Sequence, residues 1–203
     1  MLGLPKSTEL KKQLAKSLIY KKFAFNAAAR ENFDADVSRI DIVGEISPTT
    51  AAIAAGETVS SFFILLVTLK RADFDERNVI MISRLIKQNM LLVLKYEDRA
   101  KLAIYRTKLI ETEWRPIEAL TVMLSGLNLD TVWQNIIVQI GGIEIKEGRT
   151  LDEQITEDEI RKKLRRKIDT LERQAWSEKQ PKVKFELVEY VRRLRRELEE
   201  IER

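Results

Sequence analysis

Neither cysteine nor histidine occurs among the 203 residues. Without cysteine there are no disulfides and no thiolate chemistry, and without histidine there is no Ser–His nucleophile and no ordinary zinc-hydrolase ligand set. Long apolar runs are missing too: the longest, Phe62 to Val67, is far too short to cross a bilayer. The start, Met1 to Lys11, has no apolar stretch after its charges, which predicts no signal peptide and a cytoplasmic chain. Glycine-rich phosphate loops are absent as well. Gly141-Gly142 is followed by no Lys-Ser/Thr, and Gly3, Gly44, Gly56, Gly126 and Gly148 stand alone, so nucleotide binding has no support. What remains is 44% hydrophobic and 33% charged, enough apolar surface for a folded, soluble protein with a core of its own.

The net charge is +4, but it is unevenly placed. Residues 1–30 hold seven cations, Lys6, Lys11, Lys12, Lys16, Lys21, Lys22 and Arg30, against the single acid Glu9. A second basic run spans Arg161, Lys162, Lys163, Arg165, Arg166 and Lys167, and a third Arg192, Arg193, Arg195 and Arg196, both diluted by acids on the same segment. Such runs attract phosphate backbones or acidic protein surfaces, or else they are solvated helix faces paired with glutamates one turn away. In the N-terminal excess partner acids are nearly absent from the segment, and both readings stay open there.

Local pattern predicts the elements. Leu10, Leu14 and Leu18 recur every four residues, which reads as an amphipathic helix over 8–22 with Ser7 as its cap, and alanine-rich Asn26–Asn32 as a second helix. From Arg39 the period becomes two, and Ser47-Pro48-Thr49-Thr50 turns the chain toward the all-apolar strand at 62–67, the expected middle of a sheet. Asp73 with Glu76 reads as the start of a helix running to Gln88-Asn89. Met90–Tyr96 and Ala100–Tyr105 flank the turn at 97–99, with Leu92 and Leu94 facing Leu102 and Ile104 if the register allows. Leu109–Trp114 and Leu120–Leu124 are candidate further strands, and Leu129 to Ile140 is a helix ended by Gly141-Gly142.

Beyond a linker at 143–149 the composition changes. Thr156 with Glu159 reads as a capping box. Ile160, Leu164, Ile168, Leu171 and Ala175 form one stripe, Leu187, Val191, Leu194, Leu198 and Ile201 a second, and Lys179-Gln180-Pro181 breaks the chain between them. The expected fold is therefore α+β: a mixed α/β sheet domain flanked by helices over 1–149, then a coiled-coil-like antiparallel helical hairpin over 150–203.

The order of elements across 26–95 is that of the restriction-endonuclease core, whose third strand carries Glu-x-Lys on a metal. Here that strand ends Thr68-Leu69-Lys70, with threonine where the carboxylate should stand, and lysine alone cannot hold Mg²⁺. Asp41 and Glu45 read as solvent-facing residues of a half-buried strand, and Glu111, Glu113 and Trp114 as an edge cluster paired with basic neighbours. Trp133 and Trp176 offer rings on which bases could stack, but both lie in apolar helical patterns and read as core instead. No catalytic residue, metal site or cofactor is implied.

Several segments, Leu4-Pro5-Lys6-Ser7-Thr8-Glu9, Phe33-Asp34-Ala35-Asp36, Gln88-Asn89-Met90, Thr112-Glu113-Trp114, Gly126-Leu127-Asn128-Leu129, Glu178-Lys179-Gln180-Pro181 and Lys184-Phe185-Glu186-Leu187, together resemble the prokaryotic family called domain of unknown function 4391. The resemblance covers the whole chain and carries no catalytic residue. It implies a setting beside DNA methyltransferases and superfamily II helicases, in loci of the restriction-modification or phage-defence kind. The expectation is a non-catalytic adaptor with a methyltransferase or helicase partner and weak, nonspecific DNA or RNA binding. Lys11, Lys12, Lys16, Lys21 and Lys22, with Arg161, Lys162, Arg165 and Arg166, are the expected nucleic-acid contacts. Leu164, Ile168, Leu171, Val191, Leu194 and Leu198 are the expected partner-docking residues. A metal-dependent nuclease and a structural oligomerisation protein are the alternatives.

Overall fold

The computed structural model describes residues 2–143 and 150–202, so most of the expected linker lies outside the described residues. Two compact units divide between Gly142 and Ile143.

In the first unit the elements run β1 (Glu9–Gln13), α1 (Lys16–Lys22), α2 (Ala27–Asp36), β2 (Val37–Ile46), the single turn α3 (Pro48–Ala51), β3 (Phe62–Leu69), α4 (Glu76–Ser83), β4 (Asn89–Tyr96), β5 (Arg99–Tyr105), β6 (Leu109–Glu111), β7 (Arg115–Pro116) and α5 (Leu129–Gly141). They build one mixed sheet ordered β1-β2-β3-β4-β5-β6, with β7 beside β5. Only β3 and β4 are parallel, joined through α4; the other neighbours are antiparallel. The apolar run at 62–67 lies in β3, an inner strand as its composition requires.

Alternation along the strands sends the two apolar sets to opposite faces. Leu65, Val67 and Leu69 of β3 and Met90, Leu92 and Leu94 of β4 share one core with Ile19 of α1, Phe33 of α2 and Val79 and Ile82 of α4. On the other face α5 packs against β5 and β6, and Trp133 meets Phe62 with ring centroids 4.9 Å apart. Gly142 stops α5 in the left-handed conformation (φ 60°), which glycine adopts without steric cost.

Several local expectations give way to tertiary pairing. The amphipathic helix expected over 8–22 is divided: Glu9–Gln13 pairs antiparallel with β2 as an edge strand, and only Lys16–Lys22 is α-helical. Leu10 and Leu14 are half-buried and Leu18 is 50% exposed, while Ile19 is the fully buried anchor. The four-residue spacing is therefore not a core stripe, and sheet hydrogen bonds outweigh it. Asp75 rather than Asp73 caps α4, which ends at Ser83, because Asn89 is already the first residue of β4.

The hairpin register is shifted by one from the expected facing. A two-residue turn, Glu97-Asp98, with Glu97 at φ 54°, pairs Tyr96 with Arg99. Leu91 then lies opposite Ile104 and Val93 opposite Leu102. Residues 120–124 form no strand. Between α2 and α4 stand only two strands, since Ser47 and Thr50 cap each other and wind 48–51 into a helical turn. The strict restriction-endonuclease order is not reproduced.

The second unit is a helical hairpin of α6 (Leu151–Ser177) and α7 (Pro181–Glu202), packed against each other. The capping box is Thr150 with Glu153, six residues before the expected one; the Thr156 hydroxyl instead donates to the carbonyl of Asp152 inside the helix. Pro181 opens α7, where its missing N–H costs nothing. Leu164, Ile168, Val191 and Leu194 are buried in the seam, with Leu171, Tyr190, Leu198 and Ile201 packed against them. Arg165 reaches Glu202 and Arg195 reaches Glu172, each at 2.6 Å. Along the two helices these pairs step seven residues in opposite directions, the heptad register of an antiparallel coiled coil. Among the described residues no helix is long and apolar enough to cross a membrane.

Candidate nucleic-acid and partner surfaces

The five N-terminal lysines expected to meet nucleic acid divide by what their ammonium groups do. Lys16 donates to Asp34 Oδ1 at 2.6 Å and to the carbonyl of Val37 at 2.5 Å. Lys22 donates to the carbonyls of Arg84 and Leu85 at 2.7 and 2.6 Å, placing a cation on the terminal carbonyls that follow α4. Both ammonium groups thus hold the fold together. Lys11 and Lys12 lie exposed on β1 and Lys21 exposed on α1. Lysines on a sheet edge also guard it against pairing with another strand.

The second expected patch is largely neutralised. Asp158 sits 2.8 Å from Lys162 and 3.7 Å from Arg161, and Glu202 holds Arg165. Of the four expected cations, Arg166 alone is exposed with its side chain making no ion pair or hydrogen bond among the described residues. The expected docking leucines, Leu164, Ile168, Leu171, Val191, Leu194 and Leu198, are placed in the seam of the hairpin, where the two stripes cover each other.

The carboxylates that local pattern did not single out form three internal anchors. Asp36 is fully buried and accepts from the side chain of Arg71, from the backbone N–H of Asp75 at 2.8 Å and from Asn78 Nδ2 at 2.6 Å, tying α2 to α4. Asp34 accepts from Lys16 and from the Tyr20 hydroxyl. Burial pushes its carboxyl up, but those two hydrogen bonds and the Lys16 charge outweigh it and leave the group below the usual range. Burial, reinforced by the hydrogen bond to Asp34, pushes the Tyr20 phenol up to about 12. Asp130, in the first turn of α5, accepts from the backbone N–H groups of Glu57 and Val59 and from the Thr58 hydroxyl, each at 2.7 Å. The hydrogen bond from Thr58 leads in holding its carboxyl low. A Cβ at Gly56 would come within 2.3 Å of that carboxylate, so only glycine lets the loop close over it.

Lys101 of β5 is nearly enclosed. Its ammonium lies 2.7 Å from Glu111 of β6 and 4.9 and 5.1 Å from the ring centres of Phe74 and Trp114. The acidic-aromatic cluster of the edge thus takes a lysine from the neighbouring strand. Asp41 is held by Arg39 at 2.6 Å. Among the described residues no group of three or more His, Cys, Asp or Glu is placed to hold a metal ion.

The two tryptophans expected in the core part ways. Trp133 is buried, but Trp176 on the last turn of α6 is 85% exposed and Phe185 near the start of α7 is 65% exposed. Beside Trp176 a groove of 310 Å³ runs between the helices over Ala175, Val188 and Val191, rimmed by Glu172, Arg192 and Arg195.

A mixed sheet with helices on both faces, followed by a self-packed helical hairpin, is the architecture these residues define. The chain belongs to the family described as domain of unknown function (DUF4391), whose model matches residues 2–198. No curated protein and no solved structure matches it.

Proposed function

We propose that this protein is a non-catalytic adaptor of a DNA restriction-modification or phage-defence complex, acting in the cytoplasm beside a DNA methyltransferase or helicase and touching nucleic acid weakly and without sequence preference. The observation that carries the reading is the hairpin: its apolar stripes are satisfied on each other, so a long rigid element keeps its outer, charged faces for other molecules. The exposed lysines of the β1 edge add a basic surface on the other unit. Phosphate contacts of this kind supply affinity without reading bases. A nuclease finds less support, since β3 holds no carboxylate and Asp41 is engaged by Arg39.

The test is reconstitution. The full chain, co-expressed with any DNA methyltransferase or helicase found encoded beside its gene, should co-purify with at least one of them in fixed stoichiometry. A chain ending at Arg149 should lose that association. Mg²⁺-dependent nicking of plasmid by the purified protein, abolished in Asp41→Ala and Lys70→Ala, would overturn the reading.

A further inference from the structure

We propose that the tip of the hairpin is a single-strand nucleic-acid site, in which one base stacks on the Trp176 indole beside the α6–α7 groove while Arg173, Lys179, Lys182 and Lys184 hold the flanking phosphates. The inference rests on the nucleic-acid half of the adaptor reading and relocates it, away from the basic run at 161–166 and onto the tip of the hairpin around Trp176.

Three observations carry it. First, the indole of Trp176 is 85% exposed, with its apolar ring left in water at the rim of a groove. A large ring kept there has a face to offer. Second, charge is polarised along the hairpin: from Glu172 to Arg196 eight lysines and arginines stand against four glutamates, whereas Glu197 to Glu202 is purely acidic in its charges. Third, the cations around the tip are free. Arg173, Lys179, Lys182 and Lys184 are exposed and make no ion pair among the described residues, unlike Lys162 and Arg165 lower on the same hairpin.

The size and shape of the groove choose among anionic ligands. At 310 Å³ it is at the bottom of the range of small-ligand pockets, roughly 300–1,000 Å³, and admits one flat ring system. A partner helix would need several apolar anchors spaced along a longer groove. A membrane surface would need a continuous apolar face, and among the described residues of the hairpin the exposed rings are Trp176 and Phe185, set among lysines. An unpaired base with its phosphates matches an isolated ring surrounded by cations, because every base has a face to stack and stacking is indifferent to sequence. Arg192 and Arg195 each spend one nitrogen on a glutamate, Glu189 and Glu172, and keep further N–H donors for the base edge or a phosphate.

The experiment titrates the full-length protein with a twenty-nucleotide oligothymidylate, the matching duplex, phosphatidylserine vesicles and polyglutamate, following tryptophan emission and anisotropy. Oligothymidylate should quench emission and bind in preference to the other three. Trp176→Ala should weaken that binding by about ten-fold while Trp176→Phe keeps most of it. Lys182→Glu with Lys184→Glu should lower the dependence of log affinity on log salt by roughly 0.7 for each phosphate no longer neutralised. Trp176 and both lysines are exposed, so circular dichroism should show all variants folded. Equal oligothymidylate affinity in wild type and Trp176→Ala, or a preference for vesicles or polyglutamate, overturns the site. Co-purification of Trp176→Ala with the methyltransferase or helicase separates the two readings. Retained partner with abolished oligonucleotide binding supports the site, whereas an absent partner with intact oligonucleotide binding makes Trp176 a protein-facing residue and sinks it.

Discussion

At the scale of single residues, most of the conspicuous charges work inside the fold. Asp36 is the clearest case: a carboxylate with no exposure ties together Arg71, Asn78 and the backbone of Asp75. Asp36→Ala leaves the buried Asn78 amide and the half-buried N–H of Asp75 without an acceptor and should lower unfolding stability by roughly 3 kcal/mol in urea titrations. An unchanged midpoint would show that solvent reaches those donors. Tyr20 gives a pH signature. Its phenol is held to about 12, above an unfolded value of about 10, so its contribution is complete below that unfolded value and fades as pH rises through 12. Tyr20→Phe should flatten the alkaline limb of a stability-pH curve in that window, with the acid limb read on Asp34. There the sign reverses: a carboxyl held low stabilises above its unfolded value of about 4 and loses that as pH falls through its folded value.

At the scale of elements, the hairpin is the part most nearly written in the sequence. Two stripes of period three and four, broken at Pro181, fix helix, partner and antiparallel sense together, and the structure pairs Leu164 and Ile168 with Val191 and Leu194. Leu194→Asp would bury an uncompensated carboxylate in that seam and should cost several kcal/mol, about 2–5 on the scale of buried polar groups, seen as reduced helical ellipticity and an earlier thermal midpoint. Leu198→Asp, at a half-buried position, should cost less. The N-terminal segment shows why other elements escaped a local reading. Leu10, Leu14 and Leu18 share a helical period, but what decides residues 9–13 is the free edge of β2, which local sequence does not display. The register of β4 and β5 escaped for a related reason. Moving the turn by one residue exchanges which leucines face each other, and the two-residue turn at Glu97-Asp98 depends on a non-glycine residue adopting positive φ.

At the scale of the whole molecule, net charge conceals where cations are available. The basic residues of the first thirty look alike in sequence, yet hydrogen-bond geometry separates Lys16 and Lys22, which serve the fold, from Lys11, Lys12 and Lys21, which face solvent. No spacing rule tells them apart, because the acceptors of Lys22 lie more than sixty residues away and are backbone carbonyls. The same blindness hid Trp176, whose helical neighbours look like core until the end of α6 leaves it uncovered. The division yields opposite outcomes for substitutions of identical chemistry. Lys11→Glu, Lys12→Glu and Lys21→Glu combined should leave the thermal midpoint nearly unchanged, while the slope of log affinity for duplex DNA against log salt falls by about 0.9 for each phosphate no longer neutralised. Lys16→Glu places a second carboxylate against Asp34, and Lys22→Glu puts an anion on the carbonyls after α4. Both should lower the midpoint by several degrees, since roughly 1 kcal/mol moves a domain of this size by about 2–4 °C. If the exposed triple variant destabilised the protein as much as the internal pair, or left the salt slope intact, the β1 edge would not be a phosphate-facing surface.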